Sequence, residues 1–308
     1  MKFPQIRKGI VMAIVVLFLV TGGIVYGDMA SRREWFPISV LNQIRIALRY
    51  NPEEVIRRPF STGGVDEAGR LAAYPGKVEI DCPRQTPATA VIFVIGQSNS
   101  ENYGGQRFVT EYGDRVANFF NGKCYLASSP LLGTSGQGGE SFTLLGNKLI
   151  QGKHFDRVIL VHGGAGAPIA SYQKDGNNNK VMQEAITSAI RTYTITHIIF
   201  IQGEADYVMK TNEEDYLLYL RSLVRSTRES KVEAPFFVTV ATKCGLPWQA
   251  NSPVAKAQVN SQDASLGIVK GVDTDSLILD VDRYDGCHFG HTGQGKFASA
   301  MRDLLVRH

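Results

Sequence analysis

Two short segments of this chain carry side chains that can do chemistry together. Gly96-Gln97-Ser98-Asn99-Ser100 follows an apolar run. Gly96 permits a tight turn there, so Ser98 can lift its hydroxyl above a strand end and expose its own N–H to a substrate oxygen. Asp285-Gly286-Cys287-His288-Phe289-Gly290 puts an acid three residues before a histidine on an irregular loop. Such an acid can hydrogen-bond the ring and fix its tautomer, leaving the other ring nitrogen as a base. Together the two segments spell nucleophilic acyl transfer. Each alone also has an ordinary reading, the first as a helix N-cap and the second as a loop with a capping Asp. His291 is a nearby decoy for His288.

Other polar loops point elsewhere less well. Glu204 and Asp206, in Gln202-Gly203-Glu204-Ala205-Asp206, stand too close in sequence to define the carboxylate separation that glycoside hydrolysis needs, so they read as loop braces. The loop from Gly133 to Phe142 opens a helix and would aim free N–H groups at an anion or oxyanion, but it lacks the Lys-Ser/Thr of a phosphate loop. His162-Gly163-Gly164-Ala165-Gly166-Ala167 runs into Pro168, against a dinucleotide fingerprint. The four cysteines, Cys82, Cys124, Cys244 and Cys287, show no C-x-x-C pair, which disfavours structural zinc. Their even number fits two disulfides if the chain is exported. The plainer alternative is that some are buried small apolar residues.

Elements that position these loops recur from residue 88 onward. Strands are expected at residues 89–95, 115–120, 123–127, 157–162, 197–202, 236–242 and 276–281, with helices at 141–151, 179–192, 213–230, 252–269 and 292–306. Continuous apolar strands are buried on both faces, which predicts a mostly parallel sheet between two helical layers, a single three-layer α/β/α domain. In such a sheet the working residues sit beyond the carboxyl ends of the strands, where both segments fall.

The chain has 308 residues, 44% of them hydrophobic and 20% charged, which excludes a disordered or fibrous class. Lys2, Arg7, Lys8, Arg32 and Arg33 against Asp28 and Glu34 give the first 40 residues +3 of the net +4. The body is therefore nearly neutral, with no basic cluster for nucleic acid. Residues 9–27 are uncharged and mostly apolar after a basic start. This length lies between a cleaved signal peptide and a spanning helix; the poor cleavage residues Val25 and Gly27 favour an uncleaved anchor over a cleaved leader and a secreted body, and Lys2, Arg7 and Lys8 keep the N-terminus cytoplasmic, with the body outside the cytoplasm. Residues 28–87 contain one amphipathic candidate, Ile38 to Tyr50, then turn-rich sequence, and read as a spacer leading to a folded body at residues 88–308.

GQSNS at 96–100, GESF at 139–142, HGGAGAPIASY at 162–172, QGEAD at 202–206 and DGCHFG at 285–290 occur in this order. Together they resemble the SGNH hydrolase superfamily, and within it the sialate O-acetylesterase-like group that includes carbohydrate esterase family 6. The resemblance spans residues 88–308 and implies a flavodoxin-like sheet. It also implies Ser98 as nucleophile, His288 as base and Asp285 as its orienting acid. An oxyanion hole would combine the N–H groups of Ser98 and Gly139, or Gly138, with the Gln202 amide. Gln97, Asn99, Gly163, Gly164 and Glu204 would line the substrate site. Ser100 stands where the group commonly has Met, and Ala165-Gly166 replace Thr-Ser or Thr-Pro, both near the acyl pocket or sugar subsite.

The expected activity is hydrolysis of O-acetyl or other acyl esters of a carbohydrate, through an acyl-enzyme and without metal or organic cofactor. A membrane-tethered polysaccharide O-acetyltransferase would use the same triad, and a non-catalytic carbohydrate-binding protein would keep only the fold. The expected partners are an acylated sugar and, through the leader, a membrane; the residues do not define an oligomeric state. Cys287 lies inside the Asp-x-x-His loop and Cys244 follows a strand, so a Cys244–Cys287 bridge would hold the catalytic loop and leave Cys82–Cys124 as the second pair.

Overall fold

The computed structural model describes residues 64–308, apart from residues 165, 167 and 246. The expected leader, residues 1–27, lies outside the described residues, as does the amphipathic segment 38–50. Among the described residues no helix is long and apolar enough to cross a membrane.

Eight strands form one sheet in the order β1-β4-β3-β5-β2-β6-β7-β8. They are β1 Glu79–Ile80, β2 Thr89–Gly96, β3 Val116–Phe120, β4 Lys123–Leu126, β5 Arg157–His162, β6 His197–Ile201, β7 Phe236–Val240 and β8 Ile268–Asp273. From β3 across to β8 every neighbouring pair is parallel, whereas β4 runs antiparallel to both β3 and β1. The helices are α1 Phe142–Gln151, α2 Asn177–Ala189, α3 Glu204–Met209, α4 Glu213–Glu229, α5 Pro253–Val259, α6 Thr274–Leu277 and α7 His291–Leu305.

The central strand β2 is buried at every position, and its alternate side chains build two cores. Val91, Phe93 and Ile95 pack in one cluster with Met182 and Ile186 of α2 and Tyr216, Leu220 and Leu223 of α4. Ala90, Ile92 and Val94 pack in the other with Leu145 and Leu149 of α1 and Phe297, Met301 and Leu305 of α7. This is the expected three-layer arrangement. The chain leaves β2 toward β3 on one side of the sheet and later returns to β6 on the other, so the carboxyl end of β2 lies at a change of winding direction, the place where open α/β sheets bind their ligands.

Two sequence expectations fail at the sheet edge. Residues 276–281 form no strand; they fall in α6 and a short 3-10 turn, Asp280–Asp282, with Ile278 in the second core. The last strand is Ile268–Asp273, inside the expected helix 252–269, which ends at Val259. Residues 64–87, read as spacer, are attached to the body. Leu71 exchanges backbone hydrogen bonds with Gly133 and Thr134 and is buried with Phe120 and Leu132. β1 pairs with β4, and a Cys82–Cys124 disulfide fastens the same edge.

Candidate active site

β2 ends in Gly96 at φ +149°, where a Cβ would stand 1.9 Å from the carbonyl oxygen of Ile201 on β6. Only glycine fits that approach. Gly203, beyond β6, repeats the device at φ +148°, with a Cβ falling 2.4 Å from the Ala241 carbonyl oxygen. After Gly96 the chain turns into a 3-10 helix, Ser98–Ser100, with Ser98 partly exposed at its start. Tyr172, from the loop after β5, fixes this turn from below: its hydroxyl donates to the Gly96 carbonyl at 2.6 Å and accepts from the Gly96 N–H at 3.2 Å.

Asp285 and His288 are brought together as expected. His288 Nδ1 lies 2.6 Å from Asp285 Oδ2, and Asp285 Oδ1 accepts from the N–H groups of Cys287 and His288 at 2.9 and 2.7 Å. Burial alone would raise the Asp285 carboxyl, but the hydrogen bonds and charge of His288, with the two N–H donors, outweigh it and hold the pKa below the ordinary value. The carboxylate is thus kept ionised against the ring. Arg283 donates to the Cys287 carbonyl at 2.6 Å and the Cys244–Cys287 disulfide ties the loop to the segment that follows β7. His291, the decoy, starts α7 and stacks on Phe108 instead.

Asn99 joins the two segments. Its Nδ2 donates to Glu204 Oε1 at 2.8 Å and to the Cys287 carbonyl at 3.4 Å, while its Oδ1 accepts from the Phe289 N–H at 3.1 Å. Both neighbours of His288 are therefore bonded to the residue next to Ser98. Asn99 is buried and committed, a positioning residue rather than a wall of the substrate site.

Other expected site residues take supporting places. Gln97 is buried, and its Oε1 accepts from the N–H groups of Gly203 and Ala205 at the start of α3. Gln202, expected to donate to the oxyanion, is fully buried; its Nε2 is spent on Gln97 Oε1 and Asp206 Oδ2, and its Oε1 accepts from Tyr216. Gly139 gives its N–H to the Gly104 carbonyl at 2.8 Å, and Gly138 gives its N–H to Asn102 at 2.7 Å. None of these three presents a free donor. The start of α1 likewise faces no external anion, because the Glu140 carboxylate accepts from the Phe142 and Thr143 N–H groups. Gly163 and Gly164 are buried, with Cβ positions that would collide with Phe93 and Val181, so they serve packing. Asp206 braces loops as expected, accepting from the Ile169 N–H and the Thr211 hydroxyl.

Two buried carboxyls flank this assembly. Burial pushes Glu204 up to about 7 against the opposing hydrogen bond from Asn99 and the charge of Arg283, and its Oε2 has no hydrogen-bond partner among the described residues. Glu101, directly after the 3-10 helix, is also pushed up to about 7 by burial, against Ser135, the Gly166 backbone and His288. Sequence reading missed Glu101, Tyr172 and Arg283, together with Tyr103 and Tyr284, which stack against His288 at ring centroid distances of 5.6 and 6.0 Å. Their position beside known blocks was the available signal, but side-chain direction is set by the fold. Among the described residues no group of three or more His, Cys, Asp or Glu is arranged to hold a metal ion.

Residues 88–307 match the family described as carbohydrate esterase, sialic acid-specific acetylesterase. The chain belongs to this family. As a sialic acid-specific acetylesterase family member it is a carbohydrate esterase, in agreement with the resemblance carried by its ordered motifs. Among solved structures, one of a protein from Arabidopsis thaliana is similar to it with a TM-score of 0.55 and 15% identity, over 72% of this chain and 99% of that one. NanS is similar at 0.49 and 14%, over 72% and 98%, and a carbohydrate acetylesterase from Xanthomonas citri at 0.49 and 13%, over 71% and 57%. At these identities the first likeness is one of fold. Comparison with curated proteins finds no match.

Proposed function

We propose that this carbohydrate esterase removes acetyl groups from sugar hydroxyls by a Ser98-His288-Asp285 triad and an acyl-enzyme. The observation that carries the reading is the Asp285–His288 Nδ1 contact of 2.6 Å, held on a loop that Asn99 ties to the Ser98 turn. With Nδ1 occupied by the carboxylate, Nε2 is the nitrogen that takes the Ser98 proton as Oγ attacks the ester carbonyl. The imidazolium then protonates the leaving sugar oxygen. Water, deprotonated by the same nitrogen, attacks the acetyl-serine, and acetate departs as Ser98 regains its proton. The Ser98 N–H, at the first position of its 3-10 helix and so without an intrahelical acceptor, stabilises the oxyanion.

The proposed setting is outside the cytoplasm, on an N-terminal anchor. The two disulfides, which persist in oxidising compartments, and the uncharged segment 9–27 support it. The chemistry is tested with p-nitrophenyl acetate and an acetylated sugar. Ser98→Ala should lower kcat by about 10⁶, the scale of losing a triad nucleophile. An unchanged rate would overturn the mechanism.

A further inference from the structure

Among the described residues, two Phe, Tyr or Trp side chains are exposed, Tyr103 at 37% and Tyr284 at 41%, and both lie against His288. The other large aromatic rings are buried or half-buried, as their apolar area dictates. Exposed rings converging on one histidine therefore call for a local account. Their planes lie 22° and 27° from that of the imidazole, so all three rings run nearly parallel.

Both tyrosines are held at their polar ends. Tyr284 Oη donates to the Tyr103 carbonyl at 3.0 Å, and Tyr103 Oη lies 3.2 Å from Ser135 Oγ, which in turn donates to Glu101 Oε2. Gly105 makes room for the second ring: a Cβ there would stand 3.0 Å from Tyr284 Cδ1. With the hydroxyls engaged and a glycine beneath, the rings are fixed before any ligand arrives, and binding need not order them.

We propose that Tyr103 and Tyr284 form the subsite that holds the sugar ring of the ester, on the leaving-group side of His288. This rests on the esterase reading above. An aromatic face is electron-rich, and the C–H bonds on the flat side of a pyranose are apolar and weakly positive, so the two surfaces match while the sugar hydroxyls stay in water. The two rings lie 5.6 and 6.0 Å from the His288 ring, centroid to centroid, so a sugar held on them is held beside the base. The acyl group contributes little to such a surface, because an acetyl has no flat face.

The test is the ratio of kcat/KM for glucose pentaacetate to that for ethyl acetate, whose leaving group has no ring. Tyr103→Ala and Tyr284→Ala should each lower this ratio about tenfold, through KM on the sugar ester, the scale of one lost aromatic contact. Tyr103→Phe and Tyr284→Phe, which keep the aromatic face and lose only its hydroxyl anchor, should lose clearly less than the alanine variants. An unchanged ratio in the alanine variants, or equal losses on both esters, would overturn the subsite. Should those variants fail to fold, saturation-transfer NMR on Ser98→Ala with glucose pentaacetate decides the matter. Transfer from aromatic protons to the ring C–H protons is expected, and its absence refutes the proposal. If the unaltered protein hydrolyses neither ester, the esterase reading fails, while the NMR result still judges the wall.

Discussion

Asn99 holds His288 in place without touching its ring. Its amide bonds the carbonyl before His288 and the N–H after it, at 3.4 and 3.1 Å, so the base and the neighbour of Ser98 move as one unit. Asn99→Leu should therefore lower kcat on p-nitrophenyl acetate by about 10², the usual cost of an ångström-scale misplacement, with a smaller change in KM. Steady-state kinetics beside a thermal melt would check it, and a full-rate variant would remove Asn99 from the catalytic geometry.

The two disulfides close loops of nearly equal length, with sequence separations of 42 and 43, so chain entropy assigns them similar stabilisation of about 4 kcal/mol. Their effects on rate should differ. The Cys244→Ser/Cys287→Ser pair loosens the residue next to His288 and should lose both melting temperature and kcat. The Cys82→Ser/Cys124→Ser pair, at the sheet edge, should lose melting temperature alone. Equal kinetics for the two double variants would contradict this division.

Glu204 gives a pH signature of definite sign. Its pKa rises from 4.5 to about 7 on folding, so the neutral form is favoured in the fold. Its contribution is complete below about pH 4.5 and is lost as pH rises through about 7, on the order of 3 kcal/mol in all. Glu204→Gln removes that titration. Chemical denaturation at about pH 5 and about pH 8 should show a smaller loss of stability in the variant than in the unaltered protein. Asp285 has the opposite sign, since its lowered pKa makes its contribution disappear on acidification.

Gly96→Ala would force a Cβ to within 1.9 Å of the Ile201 carbonyl oxygen at a φ of +149°. No flexible side chain can yield there, because the clash is with backbone. The expected result is insoluble protein, or destabilisation beyond about 4 kcal/mol, read by denaturant melts. A stable, active variant would mean that the β2–β6 ends separate more easily than their register implies.

The interior strands were legible because each is an unbroken apolar run, as RVILVH at 157–162 is. The edge strand was not: IVKGVD at 268–273 carries Lys270 on an exposed position, while the more apolar SLIL at 276–279 packs as a short helix and turn. The Asp285–His288 pair was legible because three residues on one loop suffice to form it. The oxyanion donors were not. Whether Gly139 has a free N–H depends on its pairing with Gly104, far away in the chain, and whether Gln202 can donate depends on Gln97 and Asp206. Composition marks which residues are polar, while long-range partners decide which remain available.

At the end of β2 the main chain of Gly96 rests directly on the main chain of β6, with no side chain in between, while at Gly203 the Gln258 amide and the Ala241 carbonyl close the space together. The spacing beneath the Ser98 turn is thus inherited from the interstrand repeat of about 4.8 Å, a constant of the sheet, rather than from side-chain packing. Substitutions in the two cores can shift helices and still leave that ruler unchanged, which separates the tolerances of the fold from those of its chemistry.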